Sequence, residues 1–127
     1  MYKTIYLKKG KEESLKRFHP WIFSGAILHG DDDIAEGDIV RVLSAGGDFL
    51  AVGHFQIGSI AVRVLSFRDV EIDDNFWTAR LASALEVRRS LGIADNPDNN
   101  TYRLVHGEGD NLPGLVIDCY GKTAVMQ

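Results

Sequence analysis

The chain has 127 residues, 45% hydrophobic and 25% charged, which suits one compact domain or two very small ones and excludes disorder as an account of the whole. A net charge of −4 argues against a uniformly basic nucleic-acid binder. Cys119 is the only cysteine, so an internal disulfide and a multi-cysteine metal cluster are both excluded.

No apolar run approaches the roughly 18–20 residues a membrane helix needs, so no membrane partner is expected. The start, MYKTIYLKKGKEE, lacks an apolar stretch followed by a small-residue cleavage site, and a reducing cytoplasm is the expected compartment. The charge is unevenly spread. Residues 1–25 hold six cations against two carboxylates, a net +4 within a chain of −4, so the remainder carries −8. A basic head on an acidic body can focus an anionic partner at one end. A lysine-rich, solvated start is the plainer reading of charge alone.

YKTIYLKK (2–9) alternates, with Ile5 and Leu7 on one side and Tyr2, Thr4 and Tyr6 on the other, which predicts a strand ended by Gly10. KEESLKRF (11–18) predicts one or two helical turns, with Leu15 and Phe18 as apolar anchors. Pro20 sets an extended exit. DDDIAEGD (31–38) is an acidic turn. Strands are expected at 38–44, 49–55 and 60–67, with Gly46–Gly47 in the hairpin between the first two. Gly53 inside a strand signals a bulge or a close backbone approach. Four strands and a short helix in about 70 residues point to a small, partly closed β-barrel.

The period then changes. Residues 73–93 place Trp77, Leu81, Ala84 and Leu85 on one helical stripe, with Asp73 and Asp74 at the start, Arg88 and Arg89 near the end, and Gly92 as the stop. ADNPDNN (94–100) is a loop. Strands are expected at 101–107, 115–120 and 123–127, with a turn-rich connection at 108–114. TAVMQ has strand character without a cap or polar tail, so the chain is expected to be the front part of a longer protein. The overall class is α+β.

No complete active site is visible. His19, His29, His54 and His106 lack partners at metal-ligand spacing, so no metal site is expected. GEGDNLPG (107–114) follows a strand but opens no helix, and its carboxylates would repel phosphate. Asp31, Asp32 and Asp33 lack calcium-loop spacing. Cys119 has no base or cation beside it in sequence. The chemistry-bearing stretch is Lys8 to Ala26. Lys9, Lys11, Lys16 and Arg17 can meet phosphates, and Trp21, Phe18 or His19 can supply a plate for an unstacked base. Ser24 and Gly25 can let a strand pass close. The alternative is that Trp21, Ile22 and Phe23 plug one end of the barrel.

KGKEESLKRFHPWIFSGAI (9–27) resembles the start of the bacterial SAM-dependent 23S rRNA 5-methylcytosine methyltransferases. YRLVHGEGDNLPGLVIDCYGKTAVMQ (102–127) is similar to the segment preceding their catalytic domain. The resemblance covers essentially the whole chain. It implies a PUA-like β pseudo-barrel over 1–70 that binds RNA, then a strand–helix–strand–strand linking domain over 71–127, incomplete at its C-terminus. The catalytic SAM domain is absent from this segment, so it implies no catalytic residue and no cofactor here, with SAM expected for the full-length protein. It also implies ribosomal RNA as partner and places the RNA-binding set at Lys9, Lys11, Lys16, Arg17, His19, Trp21, Ser24 and Gly25. The expected role is to recruit and orient rRNA for a downstream domain. A protein-interaction or homodimerisation scaffold is the alternative.

Overall fold

The computed structural model describes residues 2–127. The chain divides into two compact units, Met1–Val70 and Glu71–Gln127. The first runs β1 (Lys3–Leu7), α1 (Glu13–Lys16), β2 (Trp21–Phe23), a 3-10 turn (Ser24–Ala26), β3 (Ile27–Gly30), β4 (Ile39–Leu43), β5 (Phe49–Phe55) and β6 (Ile60–Ser66). Its strands form one six-stranded sheet in the order β2-β6-β5-β4-β1-β3. β1 and β4 pair in parallel, and the other neighbours are antiparallel.

Alternation drives this unit. Ile5, Leu7, Val40, Val42, Val62 and Val64 point inward and join Leu15, Ile22, Ala51 and Ala61 in one buried cluster. Each fully buried Val, Leu or Ile side chain contributes roughly 1.5–3 kcal/mol. Register shifts at Tyr6/Leu7, Ile22/Phe23, Val42/Leu43 and Val52/Gly53 bend the sheet around that core, as bulges do. Gly53 carries both features its place in the strand signalled. A Cβ there would sit 2.4 Å from the Arg63 carbonyl oxygen and 2.8 Å from Val62 Cγ1.

Two expectations for this unit need correction. Six strands form where four were expected, because the two short ones, β2 and β3, lie beside an interrupting proline and a small-residue turn that mask their alternation. Phe18 does not anchor α1. Leu15 is buried, but Phe18 is 71% exposed. The helix ends at Lys16, two residues short of Phe18. The Phe18 N–H donates to Leu15 O (2.9 Å) and the His19 N–H to Ser14 O (3.0 Å), with Phe18 left-handed at φ +63°. That closure turns the ring outward, at a strain of about 1 kcal/mol for a non-glycine residue.

The second unit runs α2 (Asp74–Ser90), β7 (Thr101–His106), a 3-10 turn (Gly107–Asp110), β8 (Val116–Tyr120) and β9 (Thr123–Met126). Within this unit the order is helix–strand–strand–strand, as residues 73–127 predict by themselves; the strand that the resemblance placed before the helix does not lie in 71–127, because β6 belongs to the first unit. The three strands form one antiparallel sheet, β7-β8-β9. Asp73 caps α2, its Oδ1 accepting from the Phe76 N–H at 2.9 Å. Gly92, left-handed at φ +71°, ends it, and the Ile93 N–H donates to Arg88 O at 2.9 Å. Trp77, Leu81 and Ala84 of the stripe pack with Val105, Leu112 and Ile117, while Leu85 is half-buried. No helix among the described residues is long and apolar enough to cross a membrane.

Candidate nucleic-acid interface

α1, β2 and the Ser24–Ala26 turn enclose an open cleft of about 320 Å³. Leu7, Leu15 and Ile22, all buried, form its apolar floor. Lys11, Ser14, Trp21, Phe23, Gly25 and Ala26 complete it. The local sequence explains the arrangement. Pro20 forces an extended exit from α1, so Trp21 and Phe23 alternate with buried Ile22, and the small residues after them turn the chain back towards β3. One cation, one indole and one side-chain-free backbone position thus face the same space.

Three of the eight expected residues, Lys11, Trp21 and Gly25, therefore meet in one cleft. His19 stands beside it. Its Nδ1 lies 3.2 Å from the Trp21 N–H nitrogen and 3.2 Å from the Trp21 carbonyl oxygen, and its ring meets the indole edge-on at 6.2 Å. Nδ1 accepts from the N–H when the ring proton is on Nε2. Ser24, exposed, adjoins Gly25, and its N–H donates to Ser59 O at 2.8 Å. Lys9, Lys16 and Arg17 are exposed and do not line the cleft. Lys16 Nζ lies 3.8 Å from Glu13 Oε1, an exposed pair worth little.

The barrel-plug alternative holds for one residue of its three. Ile22 is buried at 3% exposure, Trp21 is half-buried, and Phe23 is 50% exposed. Two contributors lay outside the expected set. Phe23 shares a side of β2 with Trp21, which period-two spacing could have found. Arg63 holds its guanidinium 5.3 Å from the centre of the Trp21 ring, a cation–π contact set by the Trp21–Arg63 pairing of β2 with β6. Arg63 Nε also donates to Gln56 Oε1 at 2.8 Å. No local signal links positions 21 and 63.

Elsewhere, the acidic turn serves the fold. Asp31 Oδ2 accepts from the Thr4 N–H at 2.8 Å, and Lys3 Nζ donates to Asp33 O. Among the described residues no group of three His, Cys, Asp or Glu side chains is placed to hold a metal ion. Cys119 stands opposite Tyr102 across β7 and β8.

A family model described as a PUA-like domain matches residues 5–67. Ribosomal RNA large subunit methyltransferase I of Escherichia coli is 41% identical over 125 residues, and that of Erwinia tasmaniensis 40% over 125 residues. Both alignments cover 97% of this chain and 31% of the relative, so the chain spans under a third of the curated relatives it matches. A Streptococcus mutans protein, assigned as a SAM-dependent methyltransferase, superposes with a TM-score of 0.77 at 19% identity, over 97% of this chain and 32% of that one. That likeness carries the fold. The first unit is a PUA-like domain, in a chain that resembles the N-terminal region of ribosomal RNA large subunit methyltransferase I.

Proposed function

We propose that this chain is the RNA-binding N-terminal segment of a SAM-dependent ribosomal RNA (cytosine-C5) methyltransferase. In this reading it recruits rRNA and orients it for a catalytic domain elsewhere in the full-length protein. The observation that carries the reading is the cleft in which Lys11, Trp21 and Gly25 converge, beside exposed Lys9, Lys16 and Arg17. Cations supply the phosphate contacts that dominate affinity, and the indole and Phe23 supply flat apolar surface to an unstacked base. His19 and Ser24 flank the cleft as polar contacts. The PUA-like match and the rRNA methyltransferase relatives support RNA as the partner class.

SAM supplies a methyl group for transfer, and the one stretch the sequence singles out as glycine-rich does not fit it. The glycine-rich Gly107–Gly114 connection carries Glu108 and Asp110 and leads into a strand, so it offers neither a helix N-terminus nor a neutral backbone cradle. SAM binding and catalysis belong, in this proposal, to the rest of the full-length protein.

The test is binding of the chain to fragments of 23S rRNA across a salt series, for the unvaried protein and for Lys11→Ala and Trp21→Ala. Binding that falls with salt and weakens in both variants supports the reading. Binding that neither variant alters would remove the cleft from it. A second reading, a homodimerisation scaffold without RNA binding, is favoured by β9, an edge strand whose residues, Val125 and Met126 among them, are all exposed. A concentration-dependent dimer by sedimentation, unmoved by RNA, would support it.

A further inference from the structure

Phe18 combines two unfavourable features. Its backbone is left-handed, where glycine is at ease and a bulky side chain is strained. The residue is 71% exposed, so little burial offsets that strain. Glycine would close α1 through the same two hydrogen bonds with less strain, so the fold does not call for phenylalanine here. Strained, exposed residues of this kind concentrate at binding sites.

The ring is also held. It meets Phe67 edge-to-face, centroids 5.3 Å apart at 86°, and Phe67 in turn packs on the buried core of the first unit. Arg17 precedes Phe18 and Arg68 follows Phe67, and both arginines are exposed. Phe18 and Phe67, far apart in the sequence, thus form one aromatic prop, and each has an exposed arginine as a chain neighbour.

We propose that Phe18, propped by Phe67 and flanked by Arg17 and Arg68, is a stacking platform for an unpaired base of single-stranded RNA. This deepens the RNA-binding reading and rests on it. The chemistry selects the occupant. An exposed arginine next to each ring in sequence favours a polyanion over an apolar peptide, and a projecting ring rather than a pocket suits a flat π-face that can lie on it. A base within a duplex hides both faces in the stack, so the platform discriminates single-stranded from paired RNA.

The experiment uses the full 127-residue chain with two probes: a single-stranded RNA oligonucleotide carrying 2-aminopurine, and a fully paired duplex of the same length. Phe18→Gly, which relieves the backbone strain but loses the Phe67 contact, is expected to leave the thermal midpoint nearly unchanged, to bind the single strand about 5- to 100-fold more weakly, and to leave duplex binding within about twofold. Phe18→Tyr is expected to bind like the unvaried chain and to quench 2-aminopurine as it does. Phe18→Asn, also tolerant of the left-handed region, repeats the test if glycine loosens the chain. Single-strand binding unchanged in Phe18→Gly, while Lys16→Ala with Arg17→Ala weakens it, would overturn the platform and leave the RNA-binding reading standing. Failure of the unvaried chain to bind either probe would overturn both.

Discussion

Arg88 and Asp110 meet through two parallel hydrogen bonds of 2.6 and 2.8 Å, joining α2 to the 3-10 turn after β7. Both side chains are largely buried. The Arg88 Nε donates to the Arg103 carbonyl at 3.0 Å, and Asp110 Oδ2 accepts from the His106 N–H at 2.7 Å. Arg80, two turns earlier on the same helix, donates to the Asn111 carbonyl at 2.7 Å. Two arginines of one helix therefore hold the glycine-rich 107–114 connection, whose carboxylates already spoke against a phosphate cradle. Removing one partner of a buried pair leaves an uncompensated charge. Arg88→Ala is expected to cost about 3 kcal/mol, with faster hydrogen exchange at the Gly107, Asn111 and Leu112 amides. Unchanged exchange there would show that the pair does not hold the turn.

The same pair sets an acid response. Burial pushes the Asp110 carboxyl up, but the Arg88 hydrogen bonds, the His106 N–H and the charges of Arg88 and His106 outweigh it and hold the group below its ordinary 3.8. A carboxyl lowered in the folded state adds stability above its unfolded value and loses it as pH falls through the folded one. The chain is expected to lose stability below about pH 4, with slow exchange at Gly107 and Leu112 reporting the loss. Asp110→Asn is expected to be less stable at neutral pH and to show a shallower fall in acid.

Gly53 and Gly25 separate two reasons for glycine. At Gly53 the Arg63 backbone leaves no room, so Gly53→Ala is expected to cost about 2–3 kcal/mol in chemical denaturation. At Gly25 a Cβ would meet nothing within 4 Å and the backbone is not left-handed, so the fold alone does not require glycine. Gly25→Ala is expected to change stability by less than about 0.5 kcal/mol. Gly25→Leu, which fills the cleft beside Lys11 and Trp21, is expected to weaken RNA binding about tenfold without lowering the denaturation midpoint. Equal RNA affinity in Gly25→Leu would place the ligand elsewhere.

Asp73 is the side-chain cap of α2, and Asp73→Ala is expected to cost about 1 kcal/mol. Thermal unfolding followed by helical circular dichroism reads this directly. Asp73→Ser, which can accept the same Phe76 N–H, is expected to recover most of the loss.

What the sequence revealed follows from how local each signal is. α2 was legible end to end, because Asp73, the Trp77–Leu81–Ala84 stripe and Gly92 each act within a few residues of themselves. β1, β4, β5 and β6 were legible from alternation, and Gly53 from its place in a strand. β2 and β3 were not, because three or four residues next to Pro20 and Ser24–Ala26 give no alternating run. Phe18 misled for a related reason. Spacing from Leu15 assumes that the helix continues, and the left-handed closure at Phe18 ends it. In the candidate interface, the residue types in 9–25 were legible but their assembly was not. Lys11, Trp21 and Gly25 meet in one cleft only in the folded chain, Arg63 arrives through the pairing of β6 with β2, and Phe67 through its ring contact with Phe18.

The central claim is that this chain binds RNA through the cations in and around its first helix, Lys9, Lys11, Lys16 and Arg17, and the cleft beside them. The measurement that tests it most directly is the dependence of the 23S rRNA fragment dissociation constant on salt, for the unvaried chain and for Lys16→Ala with Arg17→Ala. The account expects affinity to fall steeply with salt, and the double variant to bind more weakly with a log–log slope shallower by about two. A salt-independent affinity, or a double variant whose slope and affinity match the unvaried chain, would contradict it.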